Sequence, residues 1–310
     1  MPAGFYTHTA TVLFARAPAL DDVARVVRGA ERRVLRAEAR SPWFGAADLL
    51  VSIDPERNGE LAIDVVAQPW PDAMGDPLTD ASLFAAWTFG AFGQRTFPGG
   101  LVRACEQAWM ARDVAGAVTS HVAFVRLRAT YVIGAGDDAP IVPEGHSDLR
   151  DLEVITSCAL AILSLPDAIG YFDPEGEVLL GRDTLASILH DAREQNRVPI
   201  EAYTNVRLYR TDPDHSLVDT VGMERFGLPD VEIPFEATLD PNLVVALARN
   251  VCLDHLRLGV PIPSGDTIDG PHGRYRALAL ETSSIAPPRG ALRLLLEPGS
   301  ADALRDPPQQ

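Results

Sequence analysis

Short strand-like apolar runs occur in pairs joined by short polar turns, and that pattern points to antiparallel strand pairing. Leu49 to Ile53 and Glu60 to Ala67 flank Pro55-Glu56-Arg57-Asn58-Gly59, and the run from Ile169 to Leu180 turns on Asp173-Pro174-Glu175-Gly176. Pro, Asp, Asn and Gly supply the backbone angles such turns need. A parallel pair would require a crossover of about a dozen residues or more, and these gaps leave no room for one. Further strands are expected at Tyr6 to Ala15, Ser120 to Ile133, Glu201 to Thr211, Leu217 to Val221, Tyr275 to Glu281 and Ala291 to Leu296.

Between these runs the apolar period lengthens to that of a helix. Asp21 and Asp22 open a helix expected to run to about Ala39, with Val23, Val26, Val27, Ala30, Val34 and Leu35 on one face. Helices are also expected at Leu101 to Arg112, Asp148 to Leu165 and Arg182 to Gln195. Asp240 and Pro241 start another that ends near Gly259, the cap, first-turn and stop residues all falling in order. The expected class is α+β, with largely antiparallel sheets flanked by helices in two similar-sized subdomains. The opening β-α-β-β order invites a ferredoxin-like comparison. The loop Gly134 to Ser147, rich in Gly, Pro and Asp, marks the expected boundary: residues 1–145 form an N-terminal α+β subdomain, 146–297 a C-terminal one, and 298–310 a flexible tail.

Lysine is absent, so all 27 Lys and Arg positions are arginine. That removes Schiff-base and pyridoxal-phosphate chemistry and the phosphate-cradling lysine of P-loops and kinases. A formal net charge of −16 opposes nucleic acid and anionic membranes. The basic run Arg25, Arg28, Arg32, Arg33 and Arg36, beside Glu31 and Glu38, reads as a solvated helix face. No stretch approaches the apolar length of a membrane span, and Met1 to Leu13 lacks the features of a secretory signal. Cys105, Cys158 and Cys252 are unclustered, which fits a reducing, cytoplasmic setting. The aromatic group Phe84, Trp87, Phe89, Phe92 and Phe97 is expected to pack as core.

No local catalytic or cofactor motif is present. The seven histidines form no H-x-H or H-x-x-x-H pair, and His255 near Cys252 falls short of a zinc set. Ser264-Gly-Asp-Thr-Ile-Asp-Gly270 has too few spaced oxygen ligands for a calcium loop and reads as a turn. No metal or cofactor is therefore expected, and Cys105 is expected to be inert. Asp219, Asp230 and Glu232, in the segment from His215 to Glu232, could line one edge of a groove that meets a basic protein partner, with Asp266 and Asp269 nearby in sequence.

The run Asp219-Thr-Val-Gly-Met, then Phe226-Gly-Leu-Pro-Asp-Val-Glu232, a helix, and Gly265-Asp-Thr-Ile-Asp-Gly270 resembles the bacterial family catalogued as domain of unknown function 4261. The resemblance covers roughly residues 215–285. It implies a bacterial cytoplasmic protein and brings no established activity. The leading expectation is a non-enzymatic, acidic protein-binding factor of immunity or assembly type. The rivals are a hydrolase whose site assembles from dispersed His, Asp and Arg residues, for instance around His121 or His215, and a structural subunit of a larger assembly.

Overall fold

In the computed structural model, residues 5–29, 31–32, 43, 49–136 and 138–298 are described. The chain divides into two compact units, Met1–Tyr203 and Thr204–Gln310. The fold is α+β, and antiparallel pairing dominates both of its sheets. No helix among the described residues is long and apolar enough to cross a membrane.

The first unit contains strands β1 (Thr9–Phe14), β2 (Glu31–Arg32), β3 (Leu49–Asp54), β4 (Gly59–Val66), β5 (Ala123–Thr130), β6 (Ala168–Asp173) and β7 (Val178–Leu180). They form one sheet in the order β2-β3-β4-β5-β1-β6-β7, each neighbour antiparallel. Both expected hairpins are present, as β3–β4 and β6–β7. The expected boundary at 145/146 falls inside this unit. The β6–β7 hairpin completes the first sheet, with Thr11 opposite Phe172, because the second edge of β1 needs a hydrogen-bonding partner. The ferredoxin-like comparison also fails, since β5 separates β1 from the β3–β4 hairpin.

Helix α1 (Leu20–Val26) is much shorter than its apolar pattern suggests. Val27 is already extended at φ −86° and ψ 111°, and Gly29 takes φ 77°. Paired β-branched residues followed by a left-handed glycine end the helix. Residues 30 and 33–39 of the expected helix lie outside the described residues, as do Arg33 and Arg36 of the basic run.

Helices α2 (Ala81–Thr88), α3 (Gly100–Glu106) and α4 (Arg112–Val118) carry the aromatic core. Trp70 stands edge-on to Trp87, Phe92, Phe124 and Phe172 at centroid distances of 6.5, 5.2, 5.4 and 5.3 Å. Phe89, expected with them, is 52% exposed. Helix α5 (Asp148–Ile162) buries Leu152, Ile155, Ala159 and Ile162 and packs against β1, β5 and β6. Helix α6 (Arg182–Glu194) follows β7. Arg126 and Arg128 share a face of β5, as strand alternation requires, and both bond the carboxylate of Asp64 on β4 at 2.7 and 3.0 Å.

The second unit contains β8 (Asn205–Arg210), β9 (His215–Val221), β10 (Asp230–Glu236), helix α7 (Pro241–Leu258), β11 (Thr267–Gly270), β12 (Gly273–Leu280) and β13 (Ala291–Leu296). Its sheet order is β11-β12-β13-β10-β9-β8, with β10–β13 parallel and the other pairs antiparallel. Helix α7 starts where Asp240 accepts from Asn242 N at 2.9 Å and stops at left-handed Gly259. The segment read as a turn at 264–270 includes β11, which pairs with β12.

Candidate metal centre

Three segments of the first unit converge beside the start of β1. The amide of Thr7 donates to Ala129 O, and Ala129 N donates to His8 O. Two residues thus oppose one, a bulge that re-aims the side chains leading into the strand. The second segment is the entry to α5. Ser147 caps that helix by accepting from Arg150 N, Asp148 follows the cap, and Asp151 lies three residues on, on the same helix face. His146 immediately precedes the cap. The turn between β6 and β7 brings Glu175.

His8 Nε2 lies 2.8 Å from Asp148 Oδ1, and His146 Nδ1 lies 3.7 Å from the same oxygen. One donor atom from each of His8, His146 and Asp148 falls within 4.8 Å of the others. The two imidazoles stack, with centroids 6.2 Å apart and an interplanar angle of 20°. Behind this trio, Asp151 Oδ2 meets His146 Nε2 at 2.9 Å and the Thr7 hydroxyl at 2.9 Å. Tyr131 donates its hydroxyl to Asp151 Oδ1 at 2.7 Å. His8 Nδ1 is buried without a hydrogen-bond partner, 3.9 Å from Glu175 Oε2.

The histidine side chains are 1% and 5% exposed, whereas that of Asp148 is 38% exposed, so the trio opens to solvent on the Asp148 side. Burial alone would raise the Asp148 pKa, but the His8 hydrogen bond and the charges of His8, His146 and Arg95 hold it below the ordinary value. For His146, burial favours the neutral ring; the Asp151 hydrogen bond and the charges of Asp151 and Asp148 outweigh it and raise the pKa. Two nitrogens and a carboxylate oxygen are the donors that zinc-class ions prefer, and three protein ligands with an open side form the arrangement of a catalytic rather than a closed structural site. Ligands at zinc distances stand roughly 3.3 Å apart in a tetrahedron; the spacings here are 2.8 and 3.7 Å to Asp148 Oδ1 and within 4.8 Å for the whole trio.

The five carboxylates expected to meet a partner fare differently. Asp219, Asp230 and Glu232 are each 0% exposed. Asp219 takes both arms of the Arg207 guanidinium at 2.9 and 2.6 Å and Arg289 at 2.6 Å. Asp230 faces Arg289 at 3.2 Å and the Thr220 hydroxyl at 2.8 Å. Glu232 accepts from Arg293 at 2.7 Å and Ser284 N at 2.5 Å. Strand register explains the burial, since Arg207, Asp219, Glu232 and Arg293 stand directly opposite one another across four neighbouring strands. These three carboxylates therefore form an internal ionic row and no exposed groove edge. Asp266 and Asp269 are exposed, and Asp269 is bonded to Arg274 at 3.0 Å.

His121 and His215 are not members of this trio. His121 accepts from Trp70 N at 2.7 Å, while its other nitrogen meets Val118 O at 2.6 Å. His215 opens β9 and is exposed beside Asp212. Burial and the charges of Asp72 and Glu106 push Cys105 up to about 11, which leaves it an unreactive thiol near neutrality.

The expectation of no metal site rested on sequence neighbours, and His8 stands 140 positions from Asp148. His146-Ser-Asp148 before an apolar helix is the one local trace of the trio. No curated protein and no solved structure matches the chain. The family resemblance lies elsewhere, in the second unit: residues 219–295, from Asp219 on β9 to Leu295 on β13, match the model of the family described as a domain of unknown function, DUF4261.

Proposed function

We propose that the first unit binds a divalent transition metal, of the zinc class, through His8, His146 and Asp148. The observation that carries this reading is the convergence of those three donor atoms within 4.8 Å, with both histidines buried and one side open. A metal held by three protein ligands keeps a position for water and lowers the pKa of that water toward neutrality. The reading therefore favours a hydrolytic enzyme assembled from dispersed residues over a non-enzymatic acidic binder, whose proposed surface loses Asp219, Asp230 and Glu232 to burial. The three free thiols support a reducing, cytoplasmic setting for it.

Equilibrium dialysis of chelator-stripped protein against zinc, followed by elemental analysis, tests the reading. One zinc per chain is expected in the native sequence, with loss of binding in His8→Ala and His146→Ala variants that keep their far-ultraviolet circular dichroism. Zinc retained in both variants, or none in the native protein, would overturn it.

A further inference from the structure

We propose that Asp151 is a positioning residue that fixes the tautomer of His146 and so makes the metal site competent; this rests on the metal reading above. An ionised carboxylate only accepts hydrogen bonds. The contact of 2.9 Å between His146 Nε2 and Asp151 Oδ2 therefore places a proton on Nε2. In the neutral ring Nδ1 is then bare, and it faces Asp148 Oδ1 at 3.7 Å. These two acceptors have no hydrogen to share with each other; Asp148 Oδ1 already meets His8 Nε2 at 2.8 Å, and a cation held by all three atoms would take the place of that bond.

Asp151 is held firmly enough to impose this choice. It is 1% exposed, and the Tyr131 and Thr7 hydroxyls fix its two oxygens at 2.7 and 2.9 Å. The Tyr131 ring also stands edge-on to His146, with centroids 5.2 Å apart at 88°. The imidazole is thus restrained in orientation as well as in protonation. A carboxylate behind a ligating imidazole raises the basicity of the nitrogen that meets the metal, and losing such a partner typically weakens metal binding by roughly 10- to 100-fold.

The test combines nitrogen-15 NMR of the histidines at pH 9, without metal, with zinc competition titrations. It uses the native protein, Asp151→Asn and Asp151→Ala, with metal-free thermal midpoints confirming which variants fold. Native His146 is expected as the single Nε2–H tautomer, and the variants as tautomer mixtures with zinc affinity lowered roughly 10- to 100-fold. A native protein that binds zinc while either folded variant keeps both its tautomer and its affinity overturns the role of Asp151. A native ring protonated on Nδ1 alone overturns it as well. If the native protein binds no zinc, the metal reading fails, and the metal-free spectra still decide whether Asp151 sets the tautomer.

Discussion

Asp64 is buried opposite Arg126 in strand register and also bonds Arg128. Burial alone would raise its pKa, but the charges and hydrogen bonds of both guanidiniums hold it below the ordinary 3.8. A carboxylate depressed in the folded state contributes stability that is fully present above its unfolded pKa and is lost as pH falls through the folded value. Urea unfolding should therefore show stability falling below about pH 4, with a shallower acid limb in Asp64→Asn. At neutral pH that variant should lose roughly 3–5 kcal/mol, because two buried cations lose their counter-charge. An unchanged acid limb would contradict the role of Asp64. The loss of a buried counter-charge also applies at neutral pH to Asp219, where Asp219→Asn strips the shared partner of Arg207 and Arg289 and should destabilise by a similar amount. Alternation along β5 made the shared face of Arg126 and Arg128 legible in the sequence. Their partner was not, because a cross-strand neighbour depends on register that no local pattern records.

Elements defined by local chemistry were the most legible. The turn residues 173–176 placed the β6–β7 hairpin, and Asp240, Pro241 and Gly259 bracketed α7. Asp240→Ala should lower stability by about 1 kcal/mol, read as a shift in the denaturation midpoint. Packing between elements is tested at Gly170 on β6. A Cβ there would meet Val114 Cγ1 at 2.5 Å and Leu180 O at 3.2 Å. Gly170→Ala should therefore displace α4 and cost roughly 1–3 kcal/mol; a neutral effect would show that α4 moves freely. Helix α1 and strand β11 were misread for a common reason. Apolar spacing and turn-like composition are weak signals when a left-handed glycine or a neighbouring strand decides the outcome.

For the whole molecule, the class could be read from the hairpin turns, whereas the division into units could not. A loop rich in Gly and Pro looks like a boundary, yet the partner that β1 gains at its second edge keeps residues 134–180 with the first unit. The three thiols share one expectation. Burial pushes Cys158 up to about 11, and Cys105 reaches about 11 with added repulsion from Asp72 and Glu106. Cys252 is fully buried. Native protein at pH 7.5 should thus react slowly with a disulfide reagent and release three equivalents once denatured; a fast native equivalent would contradict the assignment of inert thiols. The candidate centre is a property of the folded unit alone. Its donors come from a strand entry and a helix entry far apart in sequence, and only the pairing of β1 with β5 and the packing of α5 bring them together.

X-ray absorption at the zinc edge, on protein reloaded with one equivalent of zinc, tests that centre most directly. Two imidazole nitrogens with oxygen ligands at about 2.0–2.2 Å, and no sulfur, are the predicted shell. A sulfur-containing shell, or one of oxygens without imidazole scattering, would contradict the centre formed by His8, His146 and Asp148.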